Sequence, residues 1–568
     1  MAKVSGSELI ARALLQEGVY TIFTIAGDHI LPVLDVMADH PFRFVGVRHE
    51  EAAVHMADLY ARSTGRLGVA MYTTPGFANS LPGLAYAMYS EAPVLSISGS
   101  AELAELGRGA MQEIDQVGAA KPFVKASWLV HDPRRIPDFI ARAIRLAFSG
   151  RRGPVHLTIP VDVQEIEVDE SEVTFYPPEQ YHPSEHQGAA ATDIERAIAL
   201  LHAAERPYVI AQGPAGYPET GEVLQRFIEA TNLPLFTEDM ARGLVPDSHP
   251  LCFGYFERGL NQAARLLPQA DVLLLLGRKQ DYTITYLRPP AVAATCKIIQ
   301  IAPDAEAIGL NRGVDVGMVG DPTAIVQQMT AAAASRTWAP KPWLDTLRAA
   351  QATQATWTAD LAKADAPMHA LYVHQVIAGM LRPDDCLTFD GGDFCHLGRG
   401  YHQAQLPRRW WYLPNLGLLG SALPTAIGAK VAHPERRVIA FTGDGAFGFN
   451  AMELETALRE QIPVLVILGN DSTWGIDNGI QIGVYGRGVA TDLGHNVRYD
   501  IVAQGLGAHG EFVETADQLQ PALDRAFAAL DRGQSALVNV VIQRYVSPRA
   551  ENAINRIKTG LAKHAGGH

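Results

Sequence analysis

Cysteine is scarce: Cys252, Cys296, Cys386 and Cys395 are the only four in 568 residues, and none stands in a CxxC spacing. Neither a zinc cluster nor a disulfide framework is expected from that pattern, and a reducing, cytoplasmic setting suits it. Long apolar runs are also missing. With no uninterrupted stretch of about 18 apolar residues, no membrane span is expected. The N-terminus MAKVSGSELIARALLQEG lacks the apolar core and cleavage site of a signal peptide, and Ser7–Glu17 reads as a capped amphipathic helix. Positive charge is the minority: 47 Lys and Arg face 61 Asp and Glu, a net charge of −14 spread without an acidic tail. That balance disfavours nucleic acid and leaves small molecules as the expected partners.

What is present is an ordinary globular composition, 48% apolar and 19% charged, in a chain long enough for several cores. Helix-period stretches alternate with short apolar strands such as Leu67–Tyr72, Val94–Ile97 and Val155–Ile159, then Pro207–Ile210, Val272–Leu276 and Lys297–Ile301. A third set follows at Val438–Phe441, Val464–Leu468 and Ala536–Val541, with helices expected at Leu423–Val431, Ala451–Glu460 and Asp517–Leu530. The fold class is therefore α/β, with three consecutive doubly wound parallel-sheet domains. Their expected bounds are 1–180, 190–335 and 365–545. A linker lies near 176–190, a helical connection over 331–366, and a basic C-terminal tail over 546–568.

Gly443-Asp444-Gly445 follows the strand RRVIAF and opens a helix, where open α/β sheets bind phosphates. The glycines admit backbone N–H groups to an oxyanion, and the carboxylate suits a hard cation such as Mg²⁺. A lone GDG is more often a tight turn. Here a second oxygen-rich turn, Asn470-Asp471, comes at the end of the next strand, as one metal shared by two neighbouring loops requires.

With these motifs the chain resembles the thiamine diphosphate (ThDP)-dependent decarboxylase and carboligase family. The resemblance implies Mg²⁺ held by Asp444, Asp471 and the carbonyl of Thr473, with Asp471 where relatives carry asparagine. Gly392, Gly443, Gly445, Ala446, Asn470 and Trp474 would line the cofactor. Leu419, in Gly417-Leu418-Leu419-Gly420, would prop its bent form or simply pack as a core leucine. Val47-Arg48-His49-Glu50-Glu51 matches the stretch with the activating acid, implying that Glu50 protonates the aminopyrimidine; alone, Glu50 and Glu51 read as first-turn acids favoured by the helix dipole. Unit one would carry that carboxylate and unit three the metal, so the resemblance implies a homodimer or homotetramer with active sites between subunits.

Substrate signals are weaker. Gly27-Asp28-His29 stands where related lyases place a histidine near the cofactor, so His29 reads either as a proton shuttle or as a satisfied loop histidine. Gln112, in Met111-Gln112-Glu113, matches an early-loop glutamine that contacts substrate, or is a turn residue. Asp390-Gly391-Gly392-Asp393-Phe394, Asp239-Met240-Ala241-Arg242-Gly243-Leu244 and Gly469–Trp474 look like the acetolactate-synthase-like branch that contains 2-hydroxyacyl-CoA lyases. Gly277-Arg278-Lys279-Gln280-Asp281-Tyr282 replaces a stretch that acetolactate synthases carry, and FAD is not expected. The turns after Gln212-Gly213 and Leu276-Gly277 read as plain strand ends in preference to a site for ADP or CoA.

The resemblance implies a C–C lyase cleaving a 2-hydroxyacyl-CoA to formyl-CoA and an aldehyde or ketone, reversibly. An acetolactate synthase-like or benzaldehyde lyase-like enzyme on free 2-oxo acids and aldehydes is the alternative, and a non-catalytic nucleotide-binding paralogue is a third. The tail, with Arg544, Arg549, Arg556, Lys558 and Lys563, either folds over CoA phosphates or is solvated.

Overall fold

The computed structural model describes residues 2–182, 187–213, 216, 218–412 and 415–565, with side chains to residue 559. The expected linker therefore lies partly outside the described residues, as do most of the turn after Gly213 and the side chain of Lys563. The chain forms two compact units. One contains Met1–Glu185, Leu413–Glu435 and Met452–Ile462; the other contains His186–Tyr412, Arg436–Ala451 and Pro463–His568.

Three six-stranded parallel sheets carry the fold. The first, in the first unit, has the order Arg43–Gly46, Thr21–Thr24, Gly68–Tyr72, Val94–Ser100, Val155–Pro160, Ser127–Leu129. The other two belong to the second unit. One runs Cys252–Tyr255, Leu235–Thr237, Pro207–Ala211, Val272–Leu276, Lys297–Ala302, Val316–Val319. The last runs Trp410–Tyr412, Cys386–Asp390, Val438–Gly443, Leu465–Asn470, Ala536–Val541, His509–Val513. Central strands such as Val272–Leu276 and Ala536–Val541 are buried at every residue. A parallel sheet covered by helices on both faces requires that, which is why they read as continuous apolar runs.

In each sheet the chain steps outward from one central strand and then returns to its other side, leaving a crevice beyond the strand ends where the order reverses. The first crevice lies between Thr21–Thr24 and Gly68–Tyr72, the second between Pro207–Ala211 and Val272–Leu276, the third between Cys386–Asp390 and Val438–Gly443. Gln212 follows Ala211 directly, Gly443 ends its strand, and His29 lies in the turn Asp28–Ile30 after Thr24.

Ala422–Ala432 and Glu453–Arg459 group with the first unit, although the sequence places them among the strands of the third sheet. Ala422–Ala432 is buried almost all round, so it needs cover on every side. Gly428 lets its backbone meet Glu50–Thr64 closely: a Cβ there would stand 2.4 Å from the Met56 carbonyl oxygen. The tail is also folded, as the helix Pro548–Ala565, whose Ile554 side chain lies against Gly483 of the helix Gly475–Tyr485. Among the described residues, no helix is long and apolar enough to cross a membrane.

Candidate active site

In the second unit, Gly443 caps the short helix Asp444–Asn450 and Asn470 ends the adjacent strand, so the two oxygen-rich turns stand side by side. The Asp471 carboxylate is oriented by the Thr473 N–H and hydroxyl, both donating to Oδ1 at 3.0 Å. Asn470 faces the other way. Its Oδ1 accepts from the Ser472 N–H at 3.1 Å, and its amide donates to the Asn539 Oδ1 at 3.1 Å, which shapes the turn. Burial, with the charge of Asp471 adding to it, pushes Asp444 up to about 7. Asp471 is also raised, chiefly by burial. Two buried carboxylates, both raised by burial and one also by the other's charge, suit a divalent cation, which would restore both to the ionised form. Among the described residues no group of three or more His, Cys, Asp or Glu side chains could hold a metal. Carboxylate oxygens are donors of the kind that suits Mg²⁺ better than zinc.

Glycine keeps this cradle open. A Cβ on Gly445 would stand 2.6 Å from the Trp474 ring, and one on Gly391, at φ +121°, 2.9 Å from the Gly443 nitrogen. Gly392 caps the helix Asp393–Tyr401, and Ala446 is buried beside Gly391. The segment before the C-terminal helix covers the same turns. Arg544 donates to the carbonyls of Asp471, at 3.1 Å, and Ser472, at 3.4 Å. Ser547 and Arg549 stand beside Asp393, which burial pushes up to about 6. Arg549 also acts on His396, a wholly buried imidazole held neutral by desolvation.

In the first unit, Glu50 starts the helix Glu50–Thr64 and is 9% exposed. Its Oε2 accepts from the Asn79 amide at 3.0 Å, and Oε1 lies 2.8 Å from where a Cβ on Gly76 would be. His29 sits at the switch crevice, with Nδ1 3.1 Å from the Thr73 hydroxyl and 3.3 Å from that of Thr74. Burial lowers its pKa, against a smaller opposite effect of Asp28. Gln116, 2% exposed, holds Thr74 in place by donating to its hydroxyl at 2.8 Å and to the Gly99 carbonyl at 3.0 Å. Glu50 and His29 thus flank the start of the helix Thr74–Tyr89. Gln112 is not brought to them: it is exposed on a turn, with a left-handed φ of +59°. Leu419 is half-buried, just before the helix Ala422–Ala432.

In the middle sheet, the wholly buried Arg278 side chain crosses the switch crevice, donating to Gln212 Oε1 at 2.6 Å and pairing with Glu238 at 2.7 Å. The Gly277 turn therefore ends in a closed ion pair. Asn79 and Gln116 are missed by sequence reasoning because each is an ordinary amide with no motif around it. Only fold contacts across 29 and 42 residues reveal them.

A glycine-rich carboxylate turn at the switch point of a parallel α/β sheet is where such folds bind diphosphate-bearing cofactors. The chain matches the N-terminal TPP binding domain of thiamine pyrophosphate enzymes over residues 4–119, their central domain over 194–329 and their C-terminal TPP binding domain over 390–540. It is 31% identical over 552 residues to an acetolactate synthase large subunit of Mycobacterium tuberculosis, covering 96% of this chain and 97% of that one. It is 32% identical over 552 residues to the oxalyl-CoA decarboxylase of Escherichia coli K12, covering 94% of both. It is 31% identical over 573 residues to the 2-hydroxyacyl-CoA lyase of Oryza sativa, covering 96% of both. The chain belongs to the thiamine pyrophosphate enzyme family.

Proposed function

We propose that this protein is a ThDP- and Mg²⁺-dependent carbon–carbon lyase acting on 2-hydroxyacyl-CoA thioesters, releasing formyl-CoA and an aldehyde or ketone. The observation that carries the thioester reading is the segment Arg544–Arg549, which lies against the Asp471 and Asp393 turns instead of hanging free. Cationic groups at that position suit the phosphates of CoA. Two of the three relatives named above carry an acyl-CoA in their names. The acetolactate synthase relative favours a second reading, a carboligase or decarboxylase on free 2-oxo acids.

ThDP, when bound, supplies the electron sink for the breaking C–C bond. Asp444, Asp471 and the Thr473 carbonyl would hold Mg²⁺, and the Gly443–Gly445 turn leaves room for a diphosphate. Glu50, its Oε2 fixed by Asn79, holds the proton exchanged with the cofactor's pyrimidine. His29 is kept neutral by burial; because the Thr74 hydroxyl donates to the Gly99 carbonyl, Nδ1–H donates to Thr74, and Nε2 is the unprotonated atom that takes the substrate hydroxyl proton. The working unit is a homodimer or larger. Arg278 closing the middle crevice supports a reading without FAD.

The test compares Arg549→Ala and a chain ending at residue 545 with the parent on a 2-hydroxyacyl-CoA and on a free 2-oxo acid. The thioester reading expects KM for the thioester to rise by roughly tenfold or more, as for a lost charge-assisted contact, with little change for the free acid. Equal effects on both substrates would overturn it.

A further inference from the structure

The turn that presents Glu50 is held from a part of the sequence four hundred residues away. Glu453 starts the helix Glu453–Arg459, eight residues after Gly445, and its carboxylate is 1% exposed within the first unit. Its Oε1 accepts from the backbone N–H groups of Arg48 at 3.1 Å and His49 at 3.0 Å, the two residues before Glu50. Thr456 fixes its rotamer by donating to Oε2 at 2.7 Å. The same helix grips the turn's other side: the Gly46 N–H donates to Glu460 Oε1 at 3.2 Å, and Arg459 donates to the Gly46 carbonyl at 2.6 Å.

We propose that Glu453 is a positioning residue for Glu50, setting the backbone from which the activating carboxylate projects by capping the Arg48 and His49 N–H groups. This rests on the reading of Glu50 as the pyrimidine-activating acid. Glu453 touches no reacting atom. Its burial is costly enough to push its carboxyl up to about 7 despite three donors, a cost a mere helix-start acid on the surface avoids. The strand end 46–49 cannot satisfy those N–H groups from its own sheet, where the last bond is the Val47 N–H to the Thr24 carbonyl at 3.0 Å. One segment, Met452–Ile462, thus follows the diphosphate turn in sequence and locks the activating turn in space.

The full-length chain tests this with Glu453→Gln, which keeps an acceptor oxygen, and Glu453→Leu, which does not. Two readouts are used: amide hydrogen exchange over residues 46–50 without cofactor, and exchange of the C2 proton of bound ThDP with Mg²⁺. The proposal expects Leu to speed amide exchange and slow C2 exchange, each by about tenfold or more, the equivalent of one charge-assisted hydrogen bond. Gln restores both, and the cofactor Kd stays within about threefold, well under the tenfold that 1.4 kcal/mol represents. If the Leu variant fails to fold, Glu453→Asp, one methylene short of the amides, takes its place with the same expectations. Unchanged C2 exchange in the variant lacking the cap overturns the proposal, as does a Gln variant no better than Leu. Glu50→Gln separates the underlying reading: if its C2 exchange is normal, Glu50 is not the activating acid, whereas amide exchange still reports on the cap alone.

Discussion

Replacing Asp444 by Asn should stabilise the cofactor-free protein while destroying its cofactor site. The carboxyl's ordinary value is 3.8, and burial beside Asp471 pushes it to about 7. A folded pKa above the unfolded one means that the ionised form is the costly one. The cost is absent below about pH 4, builds as pH rises to about 7, and is complete above it. At about 1.4 kcal/mol per pH unit, that gap corresponds to roughly 4 kcal/mol, an order of magnitude that Asn, neutral at every pH, would recover. Thermal unfolding of cofactor-free protein without divalent metal should then show Asn raising the transition of the affected domain by several degrees at pH 8, since 1 kcal/mol is worth about 2–4 °C. At pH 4.5 the gain should be small. ThDP with Mg²⁺ should raise the transition of the parent and not of the variant. A variant less stable than the parent at pH 8 without metal, or one that still gains from ThDP and Mg²⁺, would refute the reasoning.

The remaining predictions concern the other groups of the two crevices. Glu50→Gln should retain ThDP but lose turnover by about 10²–10⁴-fold, the usual worth of a positioned acid or base; near-normal kcat contradicts its role. Gly445→Ala should weaken ThDP binding without touching any charge, because the added methyl meets the Trp474 ring and overpacking costs about 1–3 kcal/mol; a calorimetric titration with unchanged Kd argues against the cradle. His29→Ala should lower kcat and remove the acidic limb of the pH profile, which lies below the usual histidine range because burial lowers the pKa. An unchanged limb means another group titrates there.

The parallel sheets and both carboxylate turns were legible in the sequence because their signals are local: a buried strand is an apolar run, and a phosphate crevice needs glycine directly after it. Asp444 and Asp471 stand at ends of adjacent strands as their 27-residue spacing implies. What could not be read is what depends on contacts distant in sequence. Glu453 looks like any first-turn acid until the fold brings Arg48 and His49 to it across some 405 residues. The helix Ala422–Ala432 belongs by sequence with the third sheet, yet its all-round apolar surface is buried in the first unit. Gln116 and Asn79 carry no spacing that marks them, whereas Gln112, four residues before Gln116, has the motif and stays exposed.

The most direct test of the whole account is product identification. Pure protein with ThDP and Mg²⁺ would be incubated separately with a 2-hydroxyacyl-CoA, a free 2-oxo acid, and formyl-CoA plus an aldehyde. The account predicts formyl-CoA and an aldehyde or ketone from the thioester, the reverse ligation from the last mixture, and neither in the Asp444→Asn variant. Turnover of the free 2-oxo acid with none of the thioester would contradict it.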